Sequence, residues 1–141
     1  MNAPDPPELA AHWLAIALGD LRGAETLLRH RGLPARQAAE LAQQAAEKAL
    51  KGAIIFGGVT PPRTHDLAAL ARLVPSDWRV HALDVGLSRL SDALGQARYP
   101  RYFEPPLDHE DAVRLVADAL AITTAVLEDL ASRGLDRPTP R

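Results

Sequence analysis

The stretch Ala38–Phe56, AAELAQQAAEKALKGAIIF, constrains the fold of this chain more than any other. Ala38, Leu41, Ala42, Ala45, Ala49, Gly52, Ala53 and Phe56 recur at three- and four-residue steps, the period of one helix face. Most of these side chains are small, so a neighbouring helix can approach closely. Glu40, Gln43, Gln44, Glu47, Lys48 and Lys51 fall on the other side, which reads as a solvated, charged face. Glu47 precedes Lys51 by one helical turn, the favourable order for an ion pair worth a few tenths of a kcal/mol. This helix is expected at the centre of the fold.

The flanking sequence supplies further helices. Met1–Pro7 reads as a loose, Pro-rich lead-in. A first helix is expected from Pro7 or Glu8 to about His30, with Trp13, Ile16, Ala17, Leu21, Ala24, Leu27 and Leu28 as its stripe. Gly19 and Gly23 weaken it by about 1 kcal/mol each relative to Ala, and their spacing suits close contact with the Ala-rich helix. Gly32-Leu33-Pro34 turns the chain, which makes the first two helices antiparallel neighbours. Gly57-Gly58 and Thr60-Pro61-Pro62-Arg63 form the next break. Thr64 is the expected N-cap of a short third helix through about Val74, with Leu67, Leu70 and Leu73 on its apolar face. A fourth helix is expected from Trp78 to Ala97, with Leu83, Leu87, Leu90 and Leu94 as its seam. A last one is expected from His109 to Ser132, with Val113, Val116, Leu120, Thr123, Val126, Leu127 and Leu130 inward. Asp108 and Asp111 resemble a capping box at its start.

Aromatic residues make up 4% of the 141 positions, so Ala, Leu, Val and Ile must build the core. That suits packed helices, and no stretch alternates as a strand does. The expected fold is all-α: one antiparallel bundle of four long helices and one short helix over residues 8–132, with a flexible tail at 133–141. A net charge of −2 argues against strong nonspecific binding to nucleic acid, while leaving room for a local basic site or one assembled across a dimer. No cysteine is present, which removes thiolate catalysis and cysteine-ligated metals. The five histidines lack the paired spacing of zinc sites, so neither metal nor cofactor is expected. No leader pattern and no membrane-spanning apolar run appear, and a cytoplasmic location is expected.

Three segments carry a family resemblance: AQQAAEKALKGAI, then PPRTHDLAALARLV, then ARYP ahead of the last amphipathic helix. In order and spacing the chain resembles the HEPN domain, over about Leu9 to Leu130. The resemblance implies a helical bundle that forms a homodimer. It also implies a minimal nucleotidyltransferase as partner in a toxin–antitoxin type module, and binding of RNA or nucleotide. Many HEPN toxins are metal-independent endoribonucleases, with an Arg followed closely by a His near the start of the last helix. Arg98 matches the first of these, and His109 is the next His downstream. Ten residues, Tyr99 through Asp108, separate them, and seven separate Arg101 from His109. Either the loop has grown and the His still reaches the cleft, or the ribonuclease motif is absent.

Each candidate residue has a chemical and a plainer reading. Arg98 and His109 could cleave RNA by 2′-hydroxyl attack, the His moving a proton and the Arg stabilising phosphate charge. The plainer reading makes His109 a first-turn residue among carboxylates and Arg98 a loop anchor. Tyr99, Arg101 and Tyr102, in a loop that also holds Phe103, could stack on a base and hold a phosphate, or could plug the bundle end or a dimer contact. Arg63 and His65 sit before the short helix, where an anion could bind or where Thr64 simply caps. Lys48 and Lys51 could line a groove shared by two subunits, or remain solvated. The alternative to all of these is a non-catalytic helical interaction module.

Overall fold

The computed structural model describes residues 3–30, 32–98 and 106–141, with the backbone alone for 93–98. Among the described residues five α-helices occur in chain order: α1 (Pro6–Leu28), α2 (Ala35–Phe56), α3 (Leu67–Ala71), α4 (Leu87–Arg98) and α5 (His109–Ser132). A 3-10 turn, Arg79–Ala82, stands between α3 and α4. No strand occurs among the described residues. The all-α expectation holds.

Local chemistry sets the helix starts. Asp5 caps α1 by accepting from the Glu8 amide at 2.8 Å, and Pro6 and Pro7 fill the first turn, where an amide has no helical partner. Asp108 and Asp111 form a reciprocal capping box at the start of α5, as the sequence suggests. The cap of α3 is Asp66, not Thr64. Asp66 Oδ1 accepts from the amides of Ala68 and Ala69, while Thr64 Oγ1 accepts from the amide of Asp66. Ser91 of α4 takes the Leu67 amide at 2.9 Å, so α4 also holds the start of α3.

α2 packs against α1, α3, α4 and α5. Ala39, Ala42, Ala45, Ala46 and Ala49 are fully buried. Small side chains bring the helix backbones close, which multiplies weak dispersion contacts along the seam. Gly52 shows how tight the fit is: a Cβ there would lie 2.2 Å from Leu14 Cδ2 and 3.5 Å from the Ala10 carbonyl oxygen. At the other end of the pair, a Cβ on Gly23 would come within 3.2 Å of Leu41. Late α2 thus meets early α1 and early α2 meets late α1, the antiparallel arrangement expected from the short turn. Gly19 has a different partner, the backbone of Arg141, whose amide donates to the Ala15 carbonyl at 2.7 Å.

The structure corrects several expectations. The fourth helix does not begin at Trp78. The chain forms the 3-10 turn, extends at Leu83, and becomes helical at Leu87. The reason is Asp129 of α5, a buried carboxylate that accepts from the Arg79 amide at 2.7 Å and from Arg79 Nη1 at 2.8 Å. Trp78 is buried against the edge of Phe56, and the guanidinium of Arg133 lies 4.5 Å from its ring centroid. Leu73, Val113 and Leu120, expected inward, are exposed, whereas Leu14 and Leu18 of α1 are buried beside Ala17 and Leu21. Most importantly, the polar side of α2 is not a solvated face: Gln43, Glu47 and Lys51 are all buried.

Candidate functional site

Glu47 stands at the middle of the buried polar side of α2. Its Oε1 lies 2.5 Å from Nδ1 of His65, and its other oxygen lies 3.5 Å from Lys51 Nζ. Gln43 Nε2 makes long contacts, 3.5 Å to Glu47 and 3.4 Å to the His65 carbonyl. A carboxylate taken from water is costly unless it is paired and hydrogen-bonded, and here three groups share that task. The result is local and long-range at once. Lys51 comes from the next turn of α2, while His65 comes from the loop after Pro61-Pro62. The His65 side chain is about two-thirds exposed, so its ring reaches Glu47 with the other edge turned toward solvent.

Beside this cluster lies a cavity of about 440 Å³ between early α1, the end of α2 and the loop that follows. Its walls include Leu9, Trp13, Ile55, Val59 and Pro61, with Lys51 and Arg63 as the cations. Lys51 Nζ sits 6.0 Å from the Trp13 ring centroid, a cation–π distance. Arg63 is exposed and has no hydrogen-bond or ion-pair partner among the described residues. The arrangement can hold an anion beside an aromatic surface.

Of the sequence candidates, Lys51, Arg63 and His65 come together here. Lys48 pairs instead with Asp20 of α1 at 2.5 Å, on a part-buried bridge between the first two helices. Arg98 ends α4, and its side chain lies outside the described residues, as do Tyr99, Arg101 and Tyr102. His109 opens α5, half-buried, directly after Asp108. The Asp108 carboxyl is held below its usual value, first by the hydrogen bond from the Asp111 amide, with the positive charge of Arg114 helping. Among the described residues no cluster of His, Asp and Glu is suited to a metal ion. Sequence reasoning missed Trp13 and Glu47 as site residues. For Glu47 a signal existed: three residues able to ionise or hydrogen-bond, at positions 43, 47 and 51, make a continuous polar stripe on the most buried helix.

Fold and site together define a class: an all-α antiparallel bundle whose central helix buries a carboxylate against a loop histidine. The HEPN domain model matches residues 10–130, and the chain belongs to the HEPN domain family. Among solved structures, the crystal structure of TT1696 from Thermus thermophilus is similar, with a TM-score of 0.70 and 28% sequence identity. The match covers 84% of this chain and 96% of that one. No curated protein matches.

Proposed function

We propose that this HEPN-family chain binds RNA or nucleotide and works as the homodimeric member of a two-gene module with a minimal nucleotidyltransferase. The observation that carries the reading is the meeting of Lys51 and Arg63 at one cavity beside Trp13. A pocket with two cations and an aromatic wall suits a phosphate attached to a base. Family membership supports the module, in which one partner would be toxin and the other antitoxin. With a net charge of −2, specific sites rather than a general basic field must provide the binding.

The test is co-expression with the neighbouring gene, followed by purification and titration of the complex and of the chain alone with nucleotides and short RNA. Co-elution with a nucleotidyltransferase, a dimeric mass and saturable binding are expected. A chain that stays alone beside a neighbour of unrelated chemistry and binds neither ligand overturns the proposal. The same preparation decides the ribonuclease reading. RNA cleaved with EDTA present, and spared by Arg98→Ala and His109→Ala, supports a metal-independent nuclease. Intact RNA leaves a binding protein.

A further inference from the structure

Resting on the nucleotide reading above, we infer that the Trp13–Arg63 cavity takes one nucleoside monophosphate, free or at the end of an RNA chain, rather than an internal stretch of RNA. Size is the first constraint. At about 440 Å³ the cavity falls in the range of about 300–1,000 Å³ typical of small-molecule sites. It is too small for several stacked bases.

Its chemistry is divided. Leu9, Trp13, Ile55 and Val59 give a mostly apolar wall, and prolines stand on two sides, Pro4 and Pro6 at the start of α1 and Pro61 and Pro62 in the loop. Prolines fix their own backbone torsions, so these walls lose little freedom when a ligand enters. Against this wall a flat base can lie on Trp13. The charge is concentrated in Lys51 and Arg63. Lys51 is anchored by Glu47, so its ammonium keeps one position. Arg63 is unpaired among the described residues and can turn its guanidinium onto a phosphate in the two-pronged geometry that suits it. Binding along an RNA backbone needs a track of cations, each neutralising a phosphate. Among the described residues the cations that line the cavity are Lys51, itself paired with Glu47, and Arg63, while Lys48, the next cation on α2, pairs with Asp20 and does not line it.

His65 and Glu47 position this site without touching the ligand. Their bond ties the loop to α2 two residues after Arg63. The Asp66 and Ser91 hydrogen bonds fix the chain just beyond. Arg63 is therefore presented by a loop fastened at both ends, by Gly57 and Gly58 amides on α2 carbonyls and by His65 on Glu47.

The experiment is calorimetric titration of the full chain with AMP, UMP, inorganic phosphate, and an oligoribonucleotide with and without a 5′-phosphate. Wild-type, Arg63→Ala, Arg63→Lys and Trp13→Leu proteins are compared, with circular dichroism to show that each is folded. A monophosphate binding at least about tenfold tighter than inorganic phosphate is expected, because the wall adds to the anion contact. Arg63→Ala should weaken the monophosphate about tenfold, with partial recovery in Arg63→Lys. Trp13→Leu should bring the nucleotide down to the affinity of phosphate. If the phosphorylated oligonucleotide binds as the monophosphate does, the site serves RNA ends; if it fails to bind, the site serves free nucleotides. Equal binding of phosphate and nucleotide overturns the inference. So does unchanged nucleotide or RNA binding in both Arg63→Ala and Trp13→Leu, while leaving the broader reading standing. A folded wild-type protein that binds neither nucleotide nor RNA overturns both.

Discussion

Glu47 Oε1 and His65 Nδ1 lie 2.5 Å apart, joining the middle of the central helix to a loop eighteen positions later. With the Gly57 and Gly58 amides on α2 carbonyls at its other end, this bond fastens the loop that lines the cavity. It draws the Pro61-Pro62-Arg63 loop onto α2, so Arg63 and Lys51 line the same space.

The Glu47→Gln protein should lose about 2–4 kcal/mol of stability, because Lys51 would be left buried without a counter-charge. Glu47→Gln combined with Lys51→Met should lose less than Glu47→Gln alone. Urea unfolding of wild type, Glu47→Gln, Lys51→Met and the double variant measures this. A double variant that loses the sum of both single effects would show that the two charges do not depend on each other.

Gly52→Ala tests the seam of α1 and α2. Alanine favours a helix interior by about 1 kcal/mol over glycine, but the added methyl would sit 2.2 Å from a fully buried Leu14. Overpacking of this kind costs about 1–3 kcal/mol, so a net loss is expected. Gly32→Ala is the control, since open space surrounds that position. Thermal melts should show a lower Tm for the first and little change for the second. Equal Tm values would mean that Leu14 yields freely.

Asp129 holds the 3-10 turn to α5 through the backbone and side chain of Arg79. Asp129→Ala should cost about 1.5–3 kcal/mol, since it removes a buried carboxylate that takes both the Arg79 amide and its guanidinium. Glu128→Ala removes an exposed ion pair to the same arginine and should cost less than about 1 kcal/mol. Similar losses in both would place the stabilisation in the guanidinium rather than in the buried carboxylate.

The α5 cap gives a pH prediction. The folded-state Asp108 carboxyl is held below its ordinary value of 3.8. A depressed carboxylate contributes stability that is complete above the unfolded value and fades as pH falls through the folded one. Asp108→Asn keeps a capping oxygen without the charge. The stability advantage of wild type over Asp108→Asn should be constant above about pH 5 and shrink below 3.8. A difference that is the same at acidic and neutral pH contradicts this.

Helix positions and the antiparallel start were readable from period and punctuation, because α1, α2 and α5 are long and strongly patterned. The segment from Trp78 to Gly86 was not. Leu83, Leu87 and Leu90 keep helical spacing, yet Asp129, distant in sequence, captures the Arg79 amide before a helix can pass. Gly86 was the local warning, directly before α4. The site was half legible. Lys51, Arg63 and His65 stood out as residue types, but the polar stripe at 43, 47 and 51 reads equally as solvent-facing, because the loop that covers it at His65 lies eighteen positions on from Glu47. Glu47 and Gln43 looked solvated for that reason. Trp13 looked like core, and it does pack, with one part of its surface left to the cavity.

Photo-cross-linking reads out directly where a nucleotide sits. The folded protein is irradiated with 8-azido-AMP, digested, and the labelled peptides are sequenced by mass spectrometry. Label is expected on the peptides that hold Trp13 and the Val59–Arg63 loop, competed away by AMP and reduced in Arg63→Ala. Label confined to the stretch between Arg98 and His109, and indifferent to Arg63, would contradict the cavity as the binding site and move the nucleotide to that later stretch of the chain.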